Sequence, residues 1–275
     1  MDHPRNIIVI SDTHCGCRLG LCTKTVKLDG GGTYTPSTLQ KKVASFWKEF
    51  WGDWVPKVTR GEPYIVVHNG DAIDGVHHRS TTQISHNLYD QTNIAYDALM
   101  PVVEGAAAYY HVRGTEAHVG QSGEDEEKLA KLLGAIPNKE GDHARWELWI
   151  NLHGHLIHFT HHIGVTGSSA YEATAVGKEM VENYVESGRW GRGAAQVVVR
   201  SHRHRFGHWK QYGEKGMHIS TTTPGWQLKT PHVFKGGGRL SQPQFGGVMI
   251  RVGDEELYTR ERVWTVERPQ VENYA

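Results

Sequence analysis

"IIVISDTH", residues 7–14, sets the topology of everything that follows. Four β-branched apolar residues, Ile7 to Ile10, lead through Ser11 to Asp12. A short apolar run of this composition, ended by a polar residue, reads as a buried strand. The chemistry then arrives at once, as Asp12-x-His14. Taken alone, such a pair is also a common turn.

The same arrangement recurs down the chain. Tyr64 to Val67 is a second buried strand, closed by His68-Asn69-Gly70-Asp71-x-x-Asp74. Tyr109 to Val112 is a third, closed by Gly114-Thr115-Glu116-Ala117-His118. Helices are expected between them. One is opened by a Ser37-x-x-Gln40 capping box and carries an apolar face of Leu39, Val43, Phe46, Phe50, Trp54 and Val58. A second runs from about Thr82 to Val103, broken by Pro101. A third is capped by Ser122 and runs through Leu133, its acidic first turn (Glu124 to Glu127) suiting the helix dipole in solvent.

Beyond residue 140 the pattern turns to strands. Trp146–Leu152 and Leu156–Thr160 read as a hairpin about His153-Gly154-His155, followed by His161-His162. A helix from Ser169 to Glu186, stopped by Gly188, precedes a strand at Gln196–Arg200 that ends in Ser201-His202-x-His204. Strands follow near 206–212, 217–222, 247–252 and 256–266. The expected architecture is α/β, two sheets packed together with helices outside, in a single domain over residues 1–275.

Bulk properties narrow the function. The formal net charge is zero, which argues against a broad basic face for nucleic acid but not against a local groove. No apolar run approaches the roughly 18 residues of a membrane span. The N-terminal run is too short for a signal-peptide core, so a cytoplasmic protein is expected. Cys15, Cys17 and Cys22 lack a fourth zinc ligand in phase, and reduced thiols in or near a loop are expected. The 19 histidines matter through their positions. His202 and His204, two apart on an extended segment, face one place. In open α/β sheets, ligands bind beyond the carboxyl ends of the strands, and here five strand ends in succession offer carboxylate or imidazole.

This series resembles the calcineurin-like metallophosphoesterases: Asp-x-His, Gly-Asp-x-x-Asp, Gly-Asn-His-Asp/Glu, a histidine after a strand, then Gly-His-x-His. The likeness spans residues 7–208, and the form is similar to members encoded by bacteriophages. It implies a four-layer αββα sandwich and two divalent metal ions, Mn²⁺ foremost with Fe or Zn²⁺ as alternatives. By that resemblance Asp12, His14 and His204 hold one ion, His161 and His202 the other, and Asp71 bridges them. His161 and His162 compete for one place, and the order along the strand favours His161. Asp74 and Asn69 orient ligands. Two ions about 3.5–4 Å apart can clamp a phosphoryl group and activate a water between them.

The third element departs from the pattern, since neither the asparagine nor the adjacent histidine is present. Two repairs are open. Glu116 supplies the missing oxygen ligand while His118 acts as the acid or polarises the phosphate, or Thr115 is the ligand and Glu116 lies outside. A site that is not repaired would leave a non-catalytic metal-binding scaffold. The expected substrate is a phosphodiester in a nucleotide or nucleic acid, with phosphomonoesters and phosphoproteins as alternatives. Arg203 and Arg205, with Arg200, suit phosphate oxygens. His78, His77 and Arg79, together with His162, are placed to face substrate. Trp226 either stacks a base or packs in the sandwich.

Overall fold

The computed structural model describes residues 3–77, 79–120, 122–164, 169–213, 216–235, 241–254, 256–266 and 272–273. The first strand, β1 (Asn6–Ile10), is followed by the short pair β2 (Val26–Lys27) and β3 (Thr33–Tyr34). Next come α1 (Thr38–Glu49), a π-helical turn at Phe50–Trp54, α2 (Val55–Thr59), β4 (Tyr64–Asn69), α3 (Leu88–Glu104) and β5 (Ala108–Val112). The middle of the chain holds α4 (Glu116–Val119), α5 (Glu124–Leu132), β6 (Ala144–Arg145), β7 (Leu148–Leu152) and β8 (His155–Phe159). Then follow α6 (Glu172–Trp190), β9 (Val197–Arg200), β10 (Gly207–Gly213), β11 (Gly216–Thr222), α7 (Pro231–Lys235), β12 (Gln244–Val252) and β13 (Leu257–Thr265).

Two mixed sheets result. One has six strands in the order β13-β12-β1-β4-β5-β6, and the other five in the order β10-β11-β9-β8-β7. β1, β4 and β5 run parallel, as do β8, β9 and β11. Strand alternation then builds the layers. Ile7, Val9, Ile65 and Val67 point from the first sheet onto Ile157, Phe159, Val197 and Val199 of the second. Their neighbours Ile8, Ile10 and Val66 point the other way, onto α1, α3 and α5. Val198 meets Met180 of α6 on the far side. The fold is therefore the expected αββα sandwich. Among the described residues no helix is long and apolar enough to cross a membrane.

Local details correct the sequence reading. The buried face of α1 is Gln40, Val43, Phe46 and Trp47, and Leu39 is 37% exposed. Gln40 takes the inward place because its amide donates to the carbonyls of Cys17 and Gly20. The capping box itself is formed. Ser37→Ala should therefore cost about 1 kcal/mol, read as a lower urea midpoint; an unchanged midpoint would contradict the cap. Helix α3 begins at Leu88, not near Thr82, because residues 82–84 are hydrogen-bonded to the loop at 16–18 and Asn87 caps the helix. Pro101 sits inside α3 without ending it. Gly123, not Ser122, precedes α5, and α6 runs through Gly188 to end at Gly191 in the left-handed conformation. All three cysteines are free and buried, and burial pushes the Cys17 and Cys22 thiols up to about 11. Trp226 is fully buried against Trp47 and Phe50, so it packs and offers no face to a base.

Candidate metal centre

Because β1, β4 and β5 share a direction, and β8, β9 and β11 share one, the loops after them converge. Backbone hydrogen bonds knit them: Asp12 N–H to Gly70 O, His14 N–H to Asp71 O, Ser201 N–H to His161 O, and Trp226 N–H to Asp12 O. Among the described residues the side chains meet in four overlapping groups able to hold a cation; Asp12-His14-His204 and Asp71-His161-His202 are two of them, and His14-Asp71-His118 and Asp74-His77-His118 adjoin these. His204 Nε2 lies 3.2 Å from Asp12 Oδ1, and His161 Nε2 lies 3.0 Å from Asp71 Oδ2. Asp71 Oδ2 is also 3.9 Å from His14 Nε2, so this carboxylate faces both groups.

The backbone is strained where these residues sit. Asp12, His14, Asp71, His202 and His204 all have positive φ, at +53°, +42°, +56°, +69° and +51°. Outside glycine this conformation is uncommon and costs roughly 1–3 kcal/mol per residue. Five of the six side chains in the two groups adopt it, which concentrates the strain at one place. Gly114 must lack a side chain, since a Cβ there would run into the Asp71 carboxylate.

Each donor is held from behind. Ser11 Oγ and the His202 N–H bond to Asp12 Oδ2, leaving Oδ1 buried with no hydrogen bond. His161 Nδ1 lies 2.7 Å from the Asn69 carbonyl, and its Nε2 likewise has no hydrogen-bond partner of good geometry. Asn69 donates its own amide to Thr160 O and Ser201 Oγ. Asp74 faces His14 Nδ1 at 3.4 Å and accepts from the amides of Gln83 and Gln227. Ser11, Ser201 and Thr223 form a hydroxyl chain beneath Asp12, which isolated Ser and Thr residues in the sequence gave no means of finding.

Charge tells the same story. Burial would raise the Asp12 and Asp71 carboxyls, yet the neighbouring histidines bring both well below the usual range. Burial would depress His161, but Asp71 and Asp12 lift it to about 10. Two buried carboxylates thus demand positive charge between them. Burial holds His118 and His202 down at about 4, keeping both imidazoles neutral near pH 7. Buried carboxylate and imidazole atoms brought together in this way, several without a hydrogen bond, fit a divalent cation that takes mixed oxygen and nitrogen donors.

The other expected residues fall in different places. Glu116 opens the single-turn α4, is exposed, and joins no ligand group among the described residues. Thr115 instead lies against Asp71, its N–H and Oγ1 bonding Oδ1 at 2.8 and 3.0 Å. His118 groups with His14 and Asp71, and its Nδ1 is 2.6 Å from the Asp74 carbonyl. His162 is exposed beside His161 and His202, with ring centroids 5.3 and 5.2 Å away. Arg203 and Arg205 reach Glu172 at 3.9 and 3.0 Å, and Arg200 is buried against Glu179 at 2.7 Å. The guanidinium groups expected to meet phosphate therefore face carboxylates of α6. His78 lies outside the described residues.

No protein-family model matches the chain. No curated protein matches it. Among solved structures, Vacuolar Protein Sorting 29 from Cryptosporidium parvum aligns over 96% of this chain and 100% of its own, at 11% identity and a TM-score of 0.35. That overlap is too loose to bring a ligand or an activity across.

Proposed function

We propose that this chain is a dinuclear metal-dependent phosphoesterase of the calcineurin-like type, acting on a phosphodiester of a nucleotide or nucleic acid. The observation that carries the reading is the convergence of Asp12, Asp71 and four histidines, in strained backbone, with carboxylate and imidazole atoms left unpartnered. Two Mn²⁺ ions held there would supply Lewis acidity to the phosphoryl oxygens and acidify a water. The protein's own part is positional. Thr115 fixes the Asp71 carboxylate, Asn69 orients His161, and Asp74 orients His14. His118, neutral and anchored at Nδ1, has Nε2 left to accept a proton or a hydrogen bond. This favours an accepting role over that of an acid or of a donor to the phosphate.

A diester carries one negative charge where a monoester carries two at neutral pH. With Arg200 and Arg205 paired to glutamates, the rim of His162 and His202 suits the smaller charge. The test is hydrolysis of bis(4-nitrophenyl) phosphate and of 4-nitrophenyl phosphate by the purified protein with Mn²⁺. Faster turnover of the diester is expected. Turnover of the monoester alone would overturn the diester assignment, and no turnover of either would favour a metal-binding scaffold.

The exposed position of Glu116 gives a second expectation. Glu116→Ala should keep both ions and change the rate by less than about threefold, the scale of a surface substitution. Loss of one ion, measured by metal analysis, would restore Glu116 as a ligand.

A further inference from the structure

The four acidic residues that open α5 have separate fates. Glu124 bonds back to Ser122, and Asp125 meets Lys128. Glu127 accepts the backbone N–H groups of His143 and Ala144, holding the edge strand β6. Glu126 is 0% exposed and lies on the same helix face as Leu129, Ala130 and Leu133. Its Oε1 accepts the Ala72 N–H at 2.6 Å, and its Oε2 accepts the Gly114 N–H at 2.7 Å. His111 Nε2 stands 3.6 Å from Oε1.

Those two N–H groups are not arbitrary. Ala72 follows Asp71 directly, and Gly114 precedes Thr115, which bonds Asp71 Oδ1. One buried carboxylate therefore ties the loop after β4 to the loop after β5, at the residues that set where Asp71 points. Charge-assisted bonds to N–H groups are stronger than neutral ones. A buried carboxylate is costly unless it is so bonded. A neutral glutamine would satisfy one N–H and turn an amide NH₂ against the other.

We propose that Glu126 is a positioning residue for the metal centre, acting through Asp71 and Thr115. It touches neither ion group itself. The proposal rests on the reading of the site as a two-ion centre.

The test is titration of the metal-free protein with Mn²⁺ alone, followed by calorimetry and by the electron paramagnetic resonance signal of a spin-coupled Mn²⁺ pair. Three proteins are compared: wild type, Glu126→Gln and Glu127→Gln. Glu127 makes the same kind of backbone clamp from the next position but holds β6 instead of the Asp71 loop. Glu126→Gln should bind its second ion about 10–100-fold more weakly, as loss of a group behind a ligand does, and lose the coupled signal. Glu127→Gln should keep both ions and the signal even if its thermal midpoint falls. Should Glu126→Gln fail to fold, Glu126→Asp, which keeps the charge but not the reach, carries the same comparison. A folded Glu126 variant that binds two ions as wild type does would overturn the role. So would equal losses in the Glu126 and Glu127 variants. A wild-type protein that binds fewer than two ions would instead overturn the reading of the site, whatever the variants do.

Discussion

Asp71→Asn should abolish two-ion binding and lower turnover at least about a thousandfold, which is about three steps of 1.4 kcal/mol each. The Asp71 carboxylate faces both ligand groups, with Oδ2 3.0 Å from His161 and 3.9 Å from His14. The substitution removes a full negative charge from between two sets of imidazoles. It also presents an amide NH₂ either to the Thr115 N–H or to His161. The scaffold itself should persist, because the loop's backbone bonds to His14 and Glu126 do not use the Asp71 side chain. Calorimetric Mn²⁺ titration and steady-state kinetics at saturating Mn²⁺ check this. Wild-type rates in a folded Asp71→Asn variant would contradict the bridging role.

Trp226→Ala should cost about 3–5 kcal/mol of stability, the range for a buried aromatic truncated to alanine. The indole is fully buried, with its ring centroid 4.7 Å from Trp47 and 5.7 Å from Phe50. Its backbone N–H also holds the carbonyl of Asp12, so the packing defect lies next to a ligand loop. Urea unfolding without added metal measures the loss directly. A base-stacking role would give the opposite signature: unchanged stability and a raised KM on nucleic-acid substrates.

The strands and their polar ends were legible because burial on both faces leaves a continuous apolar run, and the break in that run marks the loop. His-x-His and Asp-x-His stood out because each follows such a break, but the extended backbone expected for His202 and His204 does not form: both have positive φ, and they join different ligand groups. The region after Gly114 could not be placed in this way. There the chain turns into the single helical turn α4, where residues two apart point to different sides, so Glu116 faces solvent while His118 faces the site. The neighbours of the arginines were not legible for a different reason. Their partners, Glu172 and Glu179, lie on α6, and only the packing of that helix on the second sheet brings them together. Glu126 left a signal that was passed over: in an acidic run expected to face solvent, it and Asp125 share the helical phase of Leu129 and Leu133, and both are buried.

The central claim is that this constellation of carboxylates and imidazoles is a two-ion hydrolytic centre. It is tested most directly by titrating Mn²⁺ into the metal-free protein while following hydrolysis of bis(4-nitrophenyl) phosphate. Activity should rise with metal and level off at two ions bound per chain. Saturation at a single ion, or two ions bound with no hydrolysis, would contradict it.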